Sequence, residues 1–268
     1  MLAEGSIVAR QTSRQAFLFP GAALFLGRAS DQRLHSHRAF EIAIPLDGHL
    51  RIETARAPGI GPEACVLAPL EHHRIVANGR TAFLWVDPET RSARAWAQVR
   101  PSVDAKRHER LVSLLREMDR SEPTHDEAWG LLDLWRSIWL EGLPQLPRVD
   151  RRVTEVLDLI DSAPVPLANR YEAAGQVALS PSWFSAIFTQ QVGMPLRKYL
   201  LWRRLLFGIR RLGNGASVTS AAVEAGFADG AHFSRVFRAT FGCKPSSLAN
   251  MRIVANETHP ISPRPRPN

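Results

Sequence analysis

The spacing of apolar residues divides this chain into two regimes. From Phe17 to about Asp87 they come in short runs of period two: Ile42, Ile44 and Leu46 alternate, and Leu50 and Ile52 resume after Asp47-Gly48, a hairpin-turn pair. Cys65-Val66-Leu67, Ile75-Val76 and Phe83-Leu84-Trp85-Val86 predict further strands, separated by Pro58, Gly59, Gly61, Pro62, Pro69 and Gly79. Many short strands at turn-rich spacing predict a small antiparallel β-barrel or sandwich. After Pro101 the period lengthens. Leu111, Leu114, Leu115 and Met118 mark one helix, and Leu131, Leu132, Leu134, Trp135, Ile138, Trp139 and Leu140 a second, broader one. Together they predict an αα-hairpin over residues 103–140. Its apolar surplus, with Trp129, Trp135 and Trp139, suits packing on the barrel or self-association, and a homodimer through this hairpin is expected.

Leu143-Pro-Gln-Leu-Pro147 stops the helical pattern, because two prolines within the segment favour an extended spacer. Beyond it, Val153, Val156, Leu157 and Ile160 form a helix stripe. Residues 171–195 then predict a short helix, a turn, and a second helix opened by Ser180-Pro181, an N-cap with proline at the first helical position, and closed by Gly193. Residues 218–245 repeat this order 49 positions later: Ala222 before the turn at Gly226, Asp229 as N-cap, and Phe233, Val236, Phe237 and Phe241 as the buried stripe. Between the two units, residues 196–212 predict one long helix. Two short helices joined by a tight turn, the second small, polar and basic on its outer side, form a helix-turn-helix signature.

Charge sharpens this division. Up to Pro147 there are 18 basic and 18 acidic side chains; from Arg148 onward there are 16 basic against 8 acidic, so the whole net charge of +8 lies in the helical half. A neutral domain joined to a basic one points to a polyanion met by the second alone, and double-stranded DNA is the expected partner. Cys65 and Cys243 are far apart and form no disulfide scaffold or cysteine-based zinc site. The start lacks the pattern of a signal peptide and no run approaches 18 apolar residues, so a cytoplasmic protein with no membrane partner is expected.

Residues from about 150 to 249 resemble the DNA-binding domain of the AraC/XylS family of bacterial transcription regulators. The resemblance is carried by AxxxGFxDxxHFSRxFRxxFGxxP, read gaplessly from Ala222 to Pro245, and by LSPSxFSxxF and GMPLxxYL in the first unit. In the N-terminal half, His35-Ser36-His37 followed by Glu41 and, after six residues, Gly48 resembles the first motif of the cupin superfamily, whose side chains there can bind a metal. Pro69 and Asn78 fit the second motif, but Arg74 stands where its histidine is expected, with His72 and His73 just before it.

The expected architecture is therefore a two-domain α+β chain. A cupin-like antiparallel β-barrel with a helical hairpin (1–142) binds an effector and dimerises, as the AraC/XylS resemblance implies. A linker follows (143–149), then an all-α double helix-turn-helix domain (150–254) and a disordered tail (255–268). Outward-facing Gly230, Ala231, Ser234 and Arg235 are the expected base readers of the second unit, with Arg235 foremost because its fork pairs with guanine O6 and N7. His232 on the same helix suits a base or phosphate contact and equally a half-packed place against the long helix. Arg238, Arg197, Lys198 and Arg204 read as phosphate contacts or helix-packing charges. In the first unit Ser182, Ser185, Ala186, Thr189 and Gln190 face outward. Ala186 stands where the family often has arginine, and Ala178 where it often has a turn glycine. His35, His37, Glu41, His72 and His73 are expected to line a pocket for an unidentified small-molecule effector, with no metal or other cofactor. The resemblance also implies contact with RNA polymerase and activation. Two other readings are a metal-dependent cupin enzyme using His35, His37 and Glu41, and an architectural DNA binder without sequence preference.

Overall fold

The computed structural model describes residues 14–19, 21–29, 32–54, 58–61, 65–90, 93, 105–140, 149–162, 167 and 169–255. Among these residues nine strands form two sheets: β1 (Arg14–Phe19), β2 (Ala22–Arg28), β3 (Phe40–Pro45), β4 (Leu50–Thr54), β5 (Pro58–Gly61), β6 (Cys65–Leu67), β7 (His73–Ala77), β8 (Arg80–Val86) and β9 (Met251–Ala255). The large sheet has the order β6-β3-β8-β2-β1-β9 and the small one β5-β4-β7. Period two places successive side chains on opposite faces, and here both faces of the large sheet are covered. Phe17, Phe19, Leu24, Leu26, Ile42, Ile44 and Leu84 pack under helices α1 (Ala105–Arg120) and α2 (His125–Leu140). Phe25, Ala43, Leu67 and Phe83 point the other way, into the barrel interior with Leu50, Ile52 and Ile75 of the facing sheet. The alternation of Ile42 and Ile44 thus marks the helix-facing side, and all six residues of β3 are buried.

Asp47-Gly48 does not make a hairpin, because β3 pairs with β6 and β8 while β4 pairs with β5 and β7. It is the corner where the chain leaves one sheet for the other. The corner is held by long-range bonds: Asp47 Oδ1 accepts from Arg80 N at 2.5 Å, and Asn78 Oδ1 accepts from His49 N at 2.8 Å. The αα-hairpin forms as expected, but its stripe faces inward. Leu111, Leu115, Leu131, Leu132 and Trp135 belong to the barrel's helix-facing core, and Trp129 packs on it with its ring 5.4 Å from that of Phe19. The apolar surplus of these residues is consumed by packing, which removes them as the basis for a dimer surface; the side chain of Trp139 lies outside the described residues.

The helical half comprises α3 (Arg151–Ser162), α4 (Arg170–Gly175), α5 (Pro181–Val192), α6 (Leu196–Gly213), α7 (Val218–Glu224) and α8 (Gly230–Phe241), then a 3-10 turn (Pro245–Leu248). The expected caps all form. Ser180 and Asp229 accept from the backbone N–H groups of Trp183 and His232, and Gly193 closes α5 in left-handed conformation; Gly242, not singled out in the sequence, closes α8 in the same way. Gly226 supplies the second turn at φ 77°. The first turn instead places Ala178, exposed, at φ 52°. A Cβ in that region costs about 1–2 kcal/mol, more than the backbone entropy a glycine adds to the unfolded chain. Ala178→Gly is therefore expected to stabilise the protein by about 0.5–1 kcal/mol; a urea midpoint that falls instead would contradict the left-handed assignment.

The last described strand departs from the expected domain layout. Residues 251–254 were expected in the helical domain and 255 in a disordered tail, yet β9 pairs in parallel with β1, Ala16 opposite Ile253. MRIVA is a short apolar run with β-branched residues, and it covers the edge that β1 would otherwise leave open. The expected tail beyond Ala255, and most of the linker, lie outside the described residues.

Candidate nucleic-acid interface and the site between the halves

The two helix-turn-helix units share α6 as a common spine. Its N-terminal residues Leu196, Tyr199 and Leu200 complete one core with α3, α4 and α5, through Val156, Ala174, Phe184 and Phe188. Its later residues Trp202, Leu205 and Ile209 complete another with α7 and α8, through Ala222, Phe233 and Phe237. Close packing against α8 is achieved at Gly208, where an added Cβ would lie 2.6 Å from the Phe233 ring. Eighteen residues of helix span about 27 Å, so one continuous hydrogen-bonded rod sets the placement of α5 relative to α8.

Their outer faces differ in chemistry. On α8, Ala231 and Arg235 are exposed and Gly230, Ser234 and Arg238 half-buried. Arg235 and Arg238 form no ion pair among the described residues, and neither do Arg197 and Lys198, both exposed on α6. His232 packs edge-on against Phe227 at 5.3 Å, which favours a structural role for its ring. On α5, Ser182, Ala186 and Gln190 are exposed, while Ser185 and Thr189 donate their hydroxyls back to the carbonyls of Pro181 and Ser185, at 2.6 and 2.7 Å. Sequence reasoning passed over Trp183, which is 47% exposed and carries Arg152 over its ring at 4.5 Å. Its spacing of three and seven from Ala186 and Gln190, out of phase with buried Phe184 and Phe188, was the available signal.

In the barrel, His35, His37, Glu41 and His73 converge, with one ligand atom from each lying within 4.8 Å of the others. His72 is exposed and not among them. His73 rather than Arg74 completes the set because β7 begins there, bridged to His35 in antiparallel register. Each imidazole is anchored by Nδ1–H donating to a backbone carbonyl: His35 to Arg33, His37 to Ala39 and His73 to Glu71, at 2.9, 3.0 and 2.9 Å. A carbonyl only accepts, so each Nδ1 carries a proton and each Nε2 points to the centre of the cluster, where the hydrogen bond between His37 and Glu41 holds a further proton that a bound cation would displace. Glu41 Oε2 lies 2.5 Å from His37 Nε2 and 3.0 Å from His73 Nε2, the latter pair poorly aligned for a hydrogen bond.

The electrostatics follow from burial and mutual proximity. Burial, and then the neighbouring His73, lowers the His35 pKa to about 4, so its ring is neutral. Burial alone would raise Glu41; His37 and His73 outweigh it and hold the carboxyl below the usual range. Burial opposes the charge on His73, but the Glu41 carboxylate prevails and raises its pKa. Three neutral-capable imidazole nitrogens and one carboxylate are the donor set of a divalent first-row transition cation. Ligand atoms about 2.1 Å from one ion stand about 3.4 Å apart in a tetrahedron, a modest contraction of the observed cluster. The residues present therefore fit a metal, contrary to the sequence expectation of none.

The halves are locked together across the spine. Trp202 Nε1 donates to Asp87 Oδ1 at 2.7 Å, Arg203 Nη1 to Asp87 Oδ2 at 3.1 Å, and Tyr199 Oη to Glu89 Oε1 at 2.7 Å. Burial raises the Asp87 pKa, while Arg203 and Trp202 act in the opposite direction. Beside this lock lies a cavity of about 110 Å³, walled by Leu18, Phe25, Phe83 and Trp85 of the sheet and by Trp202, Ile209, Phe237 and Phe241 of the helices. Gln32 and His35 also line it, and Gln32 Oε1 is a buried acceptor without a hydrogen-bond partner among the described residues. No described helix is long and apolar enough to cross a membrane.

Residues 173–251 match the family described as a helix-turn-helix domain. The virulence regulon transcriptional activator VirF of Yersinia enterocolitica and the thermoregulatory protein LcrF of Yersinia pestis are each 32% identical to this chain over 82 residues. The match spans 30% of this chain and 30% of each relative. Among solved structures, ToxT from Vibrio cholerae is similar over 85% of this chain and 96% of its own, with a TM-score of 0.55 at 10% identity. The same protein bound to an unsaturated fatty acid is similar over 88% and 94%, with a TM-score of 0.53 at 12% identity. The helical half carries a helix-turn-helix domain, and the chain as a whole has the two-part α+β fold expected from its sequence.

Proposed function

We propose that this chain is a sequence-specific, effector-responsive transcription regulator whose two helix-turn-helix units enter successive major-groove segments of DNA. The observation that carries the reading is the pair of matched, correctly capped units on one spine, with Arg235, Arg197 and Lys198 outward and unpaired among the described residues. Cations without internal partners are available to phosphates and base edges, and releasing their counterions drives binding. The named relatives are regulators, which supports a non-catalytic role and, through VirF, activation.

Effector binding is best placed at the cavity between the halves, where a ligand would touch the sheet and both α6 and α8 at once. At about 110 Å³ it is smaller than cavities that take up benzene, so a long apolar chain would have to move α6 or α8 to enter. That coupling is what an effector-responsive switch requires. The unpartnered Gln32 Oε1 favours an apolar ligand with one hydrogen-bond donor, and the fatty-acid complex of the similarly folded ToxT supports the apolar class. Dimerisation and contact with RNA polymerase rest on the family resemblance. If the protein dimerises, the surface lies away from the inward stripe of α1 and α2.

Selection of binding sites from random DNA by the purified protein tests the reading. The expected result is a two-part site with more sequence information in the half read by α8 than in the half read by α5, because Arg235 has no counterpart on α5. Equal information in both halves would refute that asymmetry, and no enrichment at all would refute sequence-specific recognition.

A further inference from the structure

The C-terminal end of α8 rests on the segment that holds His35. Gly242, the left-handed cap, accepts a hydrogen bond through its carbonyl from Arg33 N at 3.0 Å. A Cβ added there would lie 2.8 Å from Arg33 O and 2.8 Å from His35 Nδ1. Arg33 O is the carbonyl that fixes the His35 proton on Nδ1. One residue, through the two peptide groups that flank its Cα, thus positions both a cluster nitrogen and the end of the recognition helix. A second route joins the same places: the Trp85 ring meets His37 edge-on at 6.5 Å and Phe241, the last residue of α8, edge-on at 6.3 Å. Gly193, the matching cap of α5, also left-handed, has nothing within 4 Å of an added Cβ. Among the described residues, these ties to the cluster run to the second unit.

We propose that a divalent first-row transition cation held by His35, His37, Glu41 and His73 controls the seating of α8 through Arg33, so that metal occupancy and DNA recognition are thermodynamically coupled. The proposal rests on reading the chain as a DNA-binding regulator. Drawing the three Nε2 atoms and the carboxylate onto one ion fixes the 33–37 segment, and with it the surface on which Gly242 and Phe241 sit. Coupling between sites is reciprocal. A change at the end of α8 must therefore alter metal affinity if metal alters the placement of α8.

The test uses the full chain, stripped with chelator and titrated with Co²⁺, followed calorimetrically and by visible absorption. One Co²⁺ per chain is expected, with affinity reduced at least 100-fold in His73→Ala and clearly weakened in the near-isosteric Glu41→Gln. Gly242→Ala, in the other half of the molecule, is expected to lower Co²⁺ affinity at least five-fold. Gly193→Ala carries the same backbone strain without the contact and should stay within two-fold of the parent. Absence of stoichiometric Co²⁺ overturns the site, and equal affinity in Gly242→Ala and the parent overturns the coupling. With selected DNA, Co²⁺ should change DNA affinity by the factor by which DNA changes Co²⁺ affinity. Failure to find any preferred DNA, with the Co²⁺ and Gly242→Ala results intact, would refute the regulator reading and leave the coupled metal site standing.

Discussion

Replacing Asp87 by alanine is expected to cost about 3 kcal/mol of stability and to loosen the helical half from the barrel. Asp87 is 2% exposed and accepts from both Trp202 and Arg203, residues of the spine that joins the two helix-turn-helix units. Its removal leaves a buried indole N–H without its acceptor and deprives a half-buried guanidinium of its carboxylate. Breaking a buried pair in this way costs about 3–5 kcal/mol. The low end applies because burial already disfavours the Asp87 charge, and deleting it relieves that penalty. Asp87→Asn retains an acceptor for Trp202 and should lose about half as much. Urea unfolding gives the magnitude, and hydrogen exchange gives the place, since amides of residues 199–209 should lose protection in Asp87→Ala. A loss below about 1 kcal/mol would mean that the apolar contacts around Trp202 and Phe241 hold the halves together without the polar lock.

Arg235→Ala is expected to weaken binding to the selected site by about 1–3 kcal/mol, roughly five- to 150-fold. The loss should be confined to the base position Arg235 reads, and affinity for unrelated DNA should fall far less. Arg197→Ala should behave differently, weakening binding to all sequences and reducing the slope of log affinity against log salt by about one. The contrast follows from position: Arg235 projects from the second helix of a helix-turn-helix unit, whereas Arg197 lies on the first turn of the spine. Binding measured at several salt concentrations, to the selected site and to single-base variants of it, separates the two effects. Identical behaviour of the two variants would refute the division between base reading and phosphate contact.

The helical half was legible in the sequence to the level of individual caps. Ser180-Pro181, Gly193, Gly226 and Asp229 each act on backbone groups within four residues, so their meaning is local and survives without knowledge of the fold. The barrel was legible only as strands. Ile42 and Ile44 announced a period of two, but not which covering lay on each side, and Asp47-Gly48 suggested a hairpin because that pair most often makes one. Its role as a corner depends on Asp47 meeting Arg80 and His49 meeting Asn78, partners about thirty residues away. Likewise His72 and His73 are chemically equivalent in sequence. A shift of one residue in strand register exchanges the inner and outer faces, and the bridge between His35 and His73 settles which imidazole enters the cluster.

By itself, then, the sequence determined the two periodicities, the division of charge between the halves, and a pair of matched helix-turn-helix units with their outward residues. These are properties of neighbours along the chain. Tertiary structure decided what the halves do to each other. It returned β9 to the edge of β1, buried Asp87 under Trp202, set Gly242 on Arg33 and closed the cluster with His73. Each of these joins residues far apart in sequence, where no local propensity selects the partner and only the packing of the completed cores brings the two groups within reach.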